Sequence, residues 1–210
     1  MSMGTLYIVA TPIGNLRDMT YRGVEILGQV DCIACEDTRH SLKLLTSFGI
    51  KKPLISVRSQ NEEQGALRIL PILEEGKDVA YISDAGTPGL SDPGHRLAGI
   101  VREAGYPIIP IPGVSAFSAL VSVSGFPGRS VLFEGFLSPK GGRRRSRLKE
   151  LEEIGESFFI YESPFRIVKL LEDIADILPE RRILLGREMT KVHEEYLEGT
   201  ASELLETLGK

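Results

Sequence analysis

Short apolar runs rich in β-branched residues alternate along this chain with longer segments whose apolar residues recur at helical spacing. Parallel strands require this pattern, because each crossover needs a dozen or more residues and is usually a helix. The first half predicts strands at 5–10, 31–35, 54–57, 78–83 and 107–111, with helices at 21–28, 41–48, 62–75 and 93–104. We therefore predict an α/β fold whose first domain is a mainly parallel sheet flanked by helices.

A second α/β pattern follows a glycine- and proline-rich break at 125–128, which has the composition of a hinge between domains. A helix rich in small residues, 114–123, precedes this break. Beyond it the sequence predicts strands at 131–134, 158–161 and 183–185, and helices at 145–154, 165–178 and 202–208. We therefore predict two α/β domains, residues 1–122 and 123–210.

The composition is that of an ordinary globular protein: 42% of the 210 residues are hydrophobic and the formal net charge is −4. An acidic chain has no general affinity for nucleic acid, so a polyanion would have to meet a local basic patch. No apolar stretch approaches the ~20 residues that span a bilayer, which favours a cytoplasmic location and no membrane contact. Cys32 and Cys35 lie in a predicted strand, which would turn the two thiols to opposite faces as small core residues.

The segment at 83–94, SDAGTPGLSDPG, leaves a predicted buried strand and enters a helix. Ligands of open α/β sheets bind at this carboxyl edge. Glycine and proline give tight turns with bare backbone groups, and Asp84 supplies a polar acceptor. The ordinary structural interpretation, in which Asp92 caps the next helix and Pro93 is its first residue, is accepted for those two positions.

Two further loops leave predicted strands at the same edge, at 11–16 and 110–116. Neither is a G-x-G-x-x-G cradle or a P-loop, so classical binding of a dinucleotide or nucleoside triphosphate is unsupported. Ser115 would either cap the following helix or contact a ligand. Three loops at one edge favour a small-molecule site.

Together these loops resemble the tetrapyrrole methylase family. The resemblance is carried by LYIVATPIGNL at 6–16, EDTR at 36–39, SDAGTP at 83–88, SDPG at 91–94, EGFL at 134–137 and YES at 161–163. It implies an S-adenosylmethionine-dependent methyltransferase that binds the cofactor in a cleft between two α/β domains. No metal-ligand cluster is visible in the sequence, so we predict that the cofactor binds without a metal. Cofactor and substrate loops would lie in the first domain, and the second domain would complete the cleft.

Within that family the chain is most similar to the branch that acts on ribosomal RNA. This implies 2′-O-methylation of a cytidine ribose in the decoding region of 16S ribosomal RNA, free or in the small ribosomal subunit, by a homodimer. Members of this branch continue beyond the position of Gly209 and Lys210, so the second domain is expected to be short and to lack an edge strand.

The resemblance also carries over positions around the cofactor. These are Thr11, Pro12, Asp84, Ala85, Gly86, Thr87, Pro88, Ser115, Ala116, Tyr161, Met189 and Thr190. A ribose hydroxyl must lose its proton during methyl transfer, so a base or a stabilising cation is also needed. Lys191 is the preferred candidate for this role, and Glu36 and Arg39 are further candidates. The alternative for each is a salt bridge that fixes a loop.

A dense basic run, Arg143, Arg144, Arg145 and Arg147, closes the longest predicted loop, 134–147. We predict that these arginines hold RNA phosphates. The alternative is a solvated helix start, although cations at a helix N-terminus oppose its dipole.

Two other functions stay open. A methyltransferase of a small tetrapyrrole would need a broad apolar cleft and no phosphate clamp, whereas a cofactor-sensing RNA-binding module would need no base.

Overall fold

The computed structural model describes residues 3–126 and 130–209, and the chain divides into two compact units, Met1–Ala116 and Phe117–Lys210. The predicted boundary at 122/123 falls inside a helix, α5 (Ala116–Ser124). This helix packs into the second unit through Phe117, whose ring lies 5.1 Å from that of Phe133 and 5.2 Å from that of Phe159. The observed boundary is therefore earlier than the predicted one. Residues 127 and 128 of the predicted hinge lie outside the described residues.

The first unit contains a five-stranded, all-parallel sheet with the order β3-β2-β4-β1-β5. Its strands are β1 (Leu6–Val9), β2 (Cys32–Cys35), β3 (Leu54–Ser56), β4 (Val79–Ile82) and β5 (Ile108–Ile111). Its helices are α1 (Tyr21–Gln29), α2 (Thr38–Ser47), α3 (Glu62–Glu74) and α4 (His95–Glu103), with 3₁₀ turns at Leu16–Asp18 and Ser59–Asn61. The predicted α/β class and parallel sheet are confirmed.

Helices cover both faces of this sheet, and each face has its own apolar core. Residues of α3 and α4 pack on one face, and residues of α1 and α2 pack on the other. Cys32 belongs to the first cluster and Cys35 to the second, as strand alternation predicts. Burial raises the pKa of both thiols, which are free and buried, so they act as small core residues.

The order of the strands creates a crevice where β4 lies between β1 and β2. The helices that follow β1 and β2 cover one face, whereas the helix that follows β4 covers the other. Adjacent connections therefore diverge at the carboxyl edge, and such a switch point is where open α/β sheets bind ligands. The three predicted loops all leave the sheet at this edge.

The N-terminus of α4 is capped by a distant side chain. The Glu62 carboxylate, which is 5% exposed, accepts hydrogen bonds from the backbone N–H groups of Gly94 (3.0 Å), Arg96 (3.1 Å) and Leu97 (3.1 Å). The prediction that Asp92 caps this helix and Pro93 begins it is therefore wrong: α4 begins at His95. A glutamate from α3 supplies the acceptor that a local cap would have provided.

The second unit contains two strand pairs. Strands β6 (Val131–Phe136) and β7 (Ser157–Tyr161) are parallel, whereas β8 (Ile183–Arg187) and β9 (Glu195–Gly199) are antiparallel. With α5, the helices are α6 (Gly141–Ile154), α7 (Ile167–Ile177) and α8 (Ala201–Leu208). Strand β9 was not predicted. Helix α6 begins at Gly141, before the predicted start at 145, so Arg143 and Arg144 are already helical.

We expect Glu62→Ala to lower the free energy of unfolding by about 3 kcal/mol, because three N–H groups at a buried helix end would lose their acceptor. Glu63→Ala is the matched control, since Glu63 is the next residue of α3 and its exposed carboxylate pairs with Arg96. Its cost should stay below about 1 kcal/mol. Urea denaturation of both variants measures the difference, and equal effects would contradict the capping role.

Candidate functional site

Direct hydrogen bonds join the three predicted loops of the first unit. The backbone N–H of Thr11 donates to Gly86 O (2.9 Å) and that of Gly86 donates to Thr11 O (3.0 Å). The Thr87 hydroxyl donates to Val114 O (3.1 Å) in the loop that carries Ser115 and leads into Ala116, the first residue of α5. Gly86 has a φ of +78°, and a Cβ there would lie 3.4 Å from Ile13 Cγ2. The loops therefore form one braced surface that favours glycine at this position.

Asp84 connects this surface to the loop that follows β2. Its Oδ1 accepts the backbone N–H of Asp37 at 3.3 Å. Asp37 in turn caps α2 by accepting the N–H groups of Arg39 (2.8 Å) and His40 (3.3 Å), and these bonds lower the pKa of Asp37. Asp84 thus has a bracing role in addition to its predicted cofactor contact. Around it, Pro12 is partly buried, Pro88 is buried and Ala85 is exposed.

An acidic pocket of about 410 Å³ lies beside this surface. Its lining residues are Glu36, Ser59, Glu62, Gly89, Ser91, Asp92, Pro93 and His95. Burial raises the pKa of Glu36, and the charges of Asp84 and Asp92 raise it further. Burial also raises the pKa of Asp92, partly offset by a hydrogen bond with Ser83. The ionisation of Glu36 and of Asp92 is therefore disfavoured in this pocket.

This pocket accounts for one of the three predicted catalytic residues and adds others that the sequence did not indicate. Glu36 lines it, whereas Arg39 is exposed in the first turn of α2. Asp92, Glu62 and Ser59 were missed as pocket residues. The only sequence signal for them was the position of Asp92 in the strand-end loop. Among the described residues, no group of three or more His, Cys, Asp or Glu side chains is placed to hold a metal ion.

Lys191, the preferred catalytic candidate, lies in the second unit, in the turn between β8 and β9. Its side chain is 45% exposed, and its Nζ is 3.0 Å from the Glu188 carboxylate. The sequence interpretation of a loop-fixing salt bridge is therefore observed, and the catalytic role stays a prediction.

The same turn carries Met189 and Thr190. Glu188 and Thr190 have φ values of 50° and 68°, which non-glycine residues rarely adopt. The Thr190 Oγ1 is buried and has no hydrogen-bond partner within residues 3–126 and 130–209. Tyr161, also predicted to contact the cofactor, ends β7, and its ring packs against Phe133, Phe136 and Phe159. Strained backbone, such as that of Glu188 and Thr190, is concentrated at functional sites.

The predicted arginine clamp is placed differently by the structure. All four arginines are helical, in α6, so their assignment to a long loop is wrong. Arg144 is buried and lies 2.6 Å from Asp173, and Arg145 lies 2.7 Å from the same carboxylate and 3.0 Å from Asp176. Arg147 lies 2.8 Å from Glu134 and 2.7 Å from Glu150. Three of the four guanidinium groups are thus engaged within the protein, and Arg143 is exposed.

These pairs have an electrostatic signature. Burial alone would raise the pKa of Asp173, but hydrogen bonds from Arg145 and Arg144 outweigh it and hold that pKa below its ordinary value. The carboxylate therefore stabilises the fold above its ordinary pKa and loses that contribution as the pH falls through the lowered value. Asp173 and its two arginines join α6 to α7.

We expect Glu36→Gln to raise the Tm at neutral pH. The pKa of Glu36 is higher in the folded protein than the ordinary 4.5, so ionisation of this carboxyl opposes folding. That opposition is absent below the ordinary pKa and grows as the pH rises through the folded value. The gain in Tm should therefore disappear in acid. Calorimetry at neutral and acid pH measures it, with Glu103→Gln, an exposed residue of α4, as the unaffected control. A parental Tm at neutral pH would contradict the prediction.

None of the helices in the described part of the chain is long and apolar enough to cross a membrane. Two solved structures share the fold. One, a cobalt precorrin-4 methyltransferase of cobalamin biosynthesis, has a TM-score of 0.70 and 18% identity, with 98% of this chain and 90% of that chain covered. The other, uroporphyrin III C-methyl transferase from Thermus thermophilus, has a TM-score of 0.67 and 16% identity, with 97% and 91% covered.

The similarity in sequence is stronger among curated relatives. A protein of Borrelia garinii subsp. bavariensis is 49% identical over 95% of this chain and 89% of its own length. A protein of Thermotoga maritima is 46% identical over 97% of this chain and 91% of its own length. Both are named ribosomal RNA small subunit methyltransferase I. The family model of the tetrapyrrole (corrin/porphyrin) methylases matches residues 5–205. The chain therefore belongs to the tetrapyrrole (corrin/porphyrin) methylase family.

Proposed function

We propose that this chain is an S-adenosylmethionine-dependent methyltransferase that modifies the ribose 2′-hydroxyl of a cytidine in the decoding region of 16S ribosomal RNA. The observation that carries the proposal is the 46–49% identity to relatives named as small-subunit ribosomal RNA methyltransferases, over nearly the whole chain. The nucleotide and the position of the methyl group come from the motif resemblance at 6–16, 36–39 and 83–88.

The residues present fit the cofactor. In the second unit, the buried hydroxyl of Thr190 has no hydrogen-bond partner among the described residues. In the first unit, the loop at 84–88 leaves β4 at the carboxyl edge of the sheet, with Ala85 exposed and Gly86 held by Thr11. Such a strand-end loop suits a polar ligand with a flat ring. Backbone groups of the Asp84–Pro88 loop would hold it. When bound, S-adenosylmethionine supplies an electrophilic methyl group on a good leaving group.

The protein must then remove the proton of the ribose hydroxyl. Glu36 suits this task, because burial and the neighbouring Asp84 and Asp92 raise its pKa, and a carboxylate of higher pKa is a stronger base. The proton would pass from the ribose oxygen to the Glu36 carboxylate. Arg39 and Lys191 are exposed, and Lys191 is paired with Glu188. We therefore assign them secondary roles in holding the substrate.

The sequence identity of 46–49% to relatives named as ribosomal RNA methyltransferases favours RNA over a tetrapyrrole. A carboxylate of the acidic pocket would accept a hydrogen bond from the cytosine amino group. The structural similarity to tetrapyrrole methyltransferases, at 16–18% identity, concerns the fold alone.

Two further features belong to this proposal. The working unit is a homodimer, which light scattering at several concentrations would test. The enzyme acts in the cytoplasm on the small ribosomal subunit or its free RNA. Both follow from the resemblance and from the nature of the substrate.

The parent protein should transfer labelled methyl groups from S-adenosylmethionine to unmethylated small-subunit RNA, and mass spectrometry should locate the methyl on a cytidine ribose. Absence of transfer to free RNA and to assembled subunits would refute the proposed activity. RNA binding without transfer would leave the cofactor-sensing module as the better interpretation.

Glu36→Gln should lower turnover by about 10²-fold or more and remove the acidic limb of the pH–rate profile, because the general base is lost. Calorimetric affinity for S-adenosylhomocysteine should stay parental. Glu103→Gln is again the matched control. An unchanged acidic limb in Glu36→Gln would exclude this residue as the base.

If Lys191 holds the substrate, Lys191→Met should raise the KM for RNA several-fold and change turnover at saturating RNA little. Lys43→Met, which removes another exposed lysine in the first unit, should change neither constant. A fall in turnover with an unchanged KM would instead make Lys191 a catalytic residue.

A further inference from the structure

Two exposed aromatic side chains and three exposed cations lie where β6 and β7 end. Phe165 is 96% exposed and Phe136 is 57% exposed. Lys140, Arg143 and Lys169 are exposed on the helices that follow. We call these five residues the basic aromatic edge. No part of the proposed chemistry uses it.

The loops that carry this edge are neighbours. Strands β6 and β7 are parallel and pair Phe136 with Tyr161, so the chain leaves both strands at the same end. Arg166 joins the two loops, since its Nη2 donates to Leu137 O at 3.3 Å. The same guanidinium lies 2.6 Å from the carboxylate of Glu162, whose side chain is only 3% exposed. Arg166 is therefore a neutralised brace and does not contribute a free charge.

The exposure of Phe165 is fixed by its backbone. Its N–H donates to Ser163 Oγ at 3.3 Å, and the N–H groups of Arg166 and Ile167 donate to Ser163 O at 2.9 and 3.0 Å. This hydrogen-bonded turn holds the phenyl ring in solvent. Phe136 lies on the adjacent strand end, with its ring 5.6 Å from that of Tyr161. Exposed rings on ordered backbone form a platform for stacking.

The cations of the basic aromatic edge are free in the described structure, unlike the paired arginines Arg144, Arg145 and Arg147 of α6. Within the described residues, Lys140, Arg143 and Lys169 form no ion pair. Lys169 lies in the first turn of α7, which begins two residues after Phe165. Three of the carboxylates on these elements are already engaged: Glu134 by Arg147, Asp173 by Arg144 and Arg145, and Glu162 by Arg166. The edge therefore carries a local positive charge in an acidic protein.

Lys140 and Arg143 lie at the N-terminus of α6, where a cation opposes the helix dipole. Their positions do not help the fold, so an external partner is the better explanation. An anionic partner with flat rings fits both features of the edge. A second copy of the chain fits worse, because it would bring the same cations instead of phosphates.

We propose that the basic aromatic edge binds a single-stranded segment of the RNA substrate, with bases stacked on Phe165 and Phe136 and phosphates beside Lys140, Arg143 and Lys169. The identity of the partner rests on the proposed function. Single-stranded RNA is bound elsewhere by this combination of aromatic platforms and a cationic track. This proposal differs from the predicted four-arginine clamp, because it assigns phosphate binding only to cations that form no ion pair among the described residues.

The test is filter binding of unmethylated, in vitro transcribed small-subunit RNA in the presence of S-adenosylhomocysteine. Phe165→Ala and Phe165→Leu should both weaken binding about 5- to 50-fold, since stacking needs a ring, and Phe165→Trp should keep parental affinity. Tyr21→Ala, which removes another exposed aromatic ring, is the control. Lys140→Gln and Arg143→Gln should each reduce the slope of log affinity against log salt by about 0.7. Lys149→Gln, an exposed residue further along α6, should not.

Parental affinity in both Phe165→Ala and Phe165→Leu, in variants that melt like the parent, would overturn the proposal. Recovery of binding by Leu would exclude stacking. A loss of RNA binding that follows a change in mass by light scattering would assign the edge to contact between copies of the chain. Methyl transfer by the parent is measured separately. Its absence would refute the proposed activity even if RNA binding depends on Phe165 as expected.

Discussion

The two backbone hydrogen bonds between Thr11 and Gly86 fix the region on which the candidate site depends. They join the loops that follow β1 and β4 at the point where the crossover helices diverge to opposite faces of the sheet. Thr87 extends the connection to the loop after β5, and Asp84 extends it to the loop after β2. One hydrogen-bonded surface therefore spans four strand ends, and the acidic pocket is formed beside it because Glu36 and Asp92 leave strands that are held in this register.

Charge pairing explains which residues of the second unit can meet a partner. The basic run of α6 is dense in sequence, but Asp173, Asp176 and Glu134 neutralise most of it. Those carboxylates come from α7 and β6, so the arginines join secondary structure elements instead of forming a patch. The remaining free cations stand beside exposed aromatic rings. The function of a charged residue here is decided by its tertiary neighbours more than by the local density of charge.

The parallel sheet and its loops were predictable because strand and helix periodicity are local properties, and β1 to β5 were located to within one or two residues. Strand β9 was missed because Glu195 and Glu198 interrupt its apolar residues, and an exposed antiparallel strand tolerates such charges. The cap of α4 could not be predicted, since Glu62 reaches it from a different helix. The same limit applies to Asp92, whose pocket is assembled from residues far apart in the sequence.

The two cysteines give the first unit an internal reporter. Cys32 and Cys35 are 5% and 0% exposed on opposite faces of β2, which lies between β3 and β4. A thiol reagent cannot reach both of them unless the sheet loses its helices on both sides. The rate of modification at low denaturant would therefore time the opening of this sheet. A cysteine introduced on the surface, by contrast, could be labelled in the native protein without removing either natural thiol.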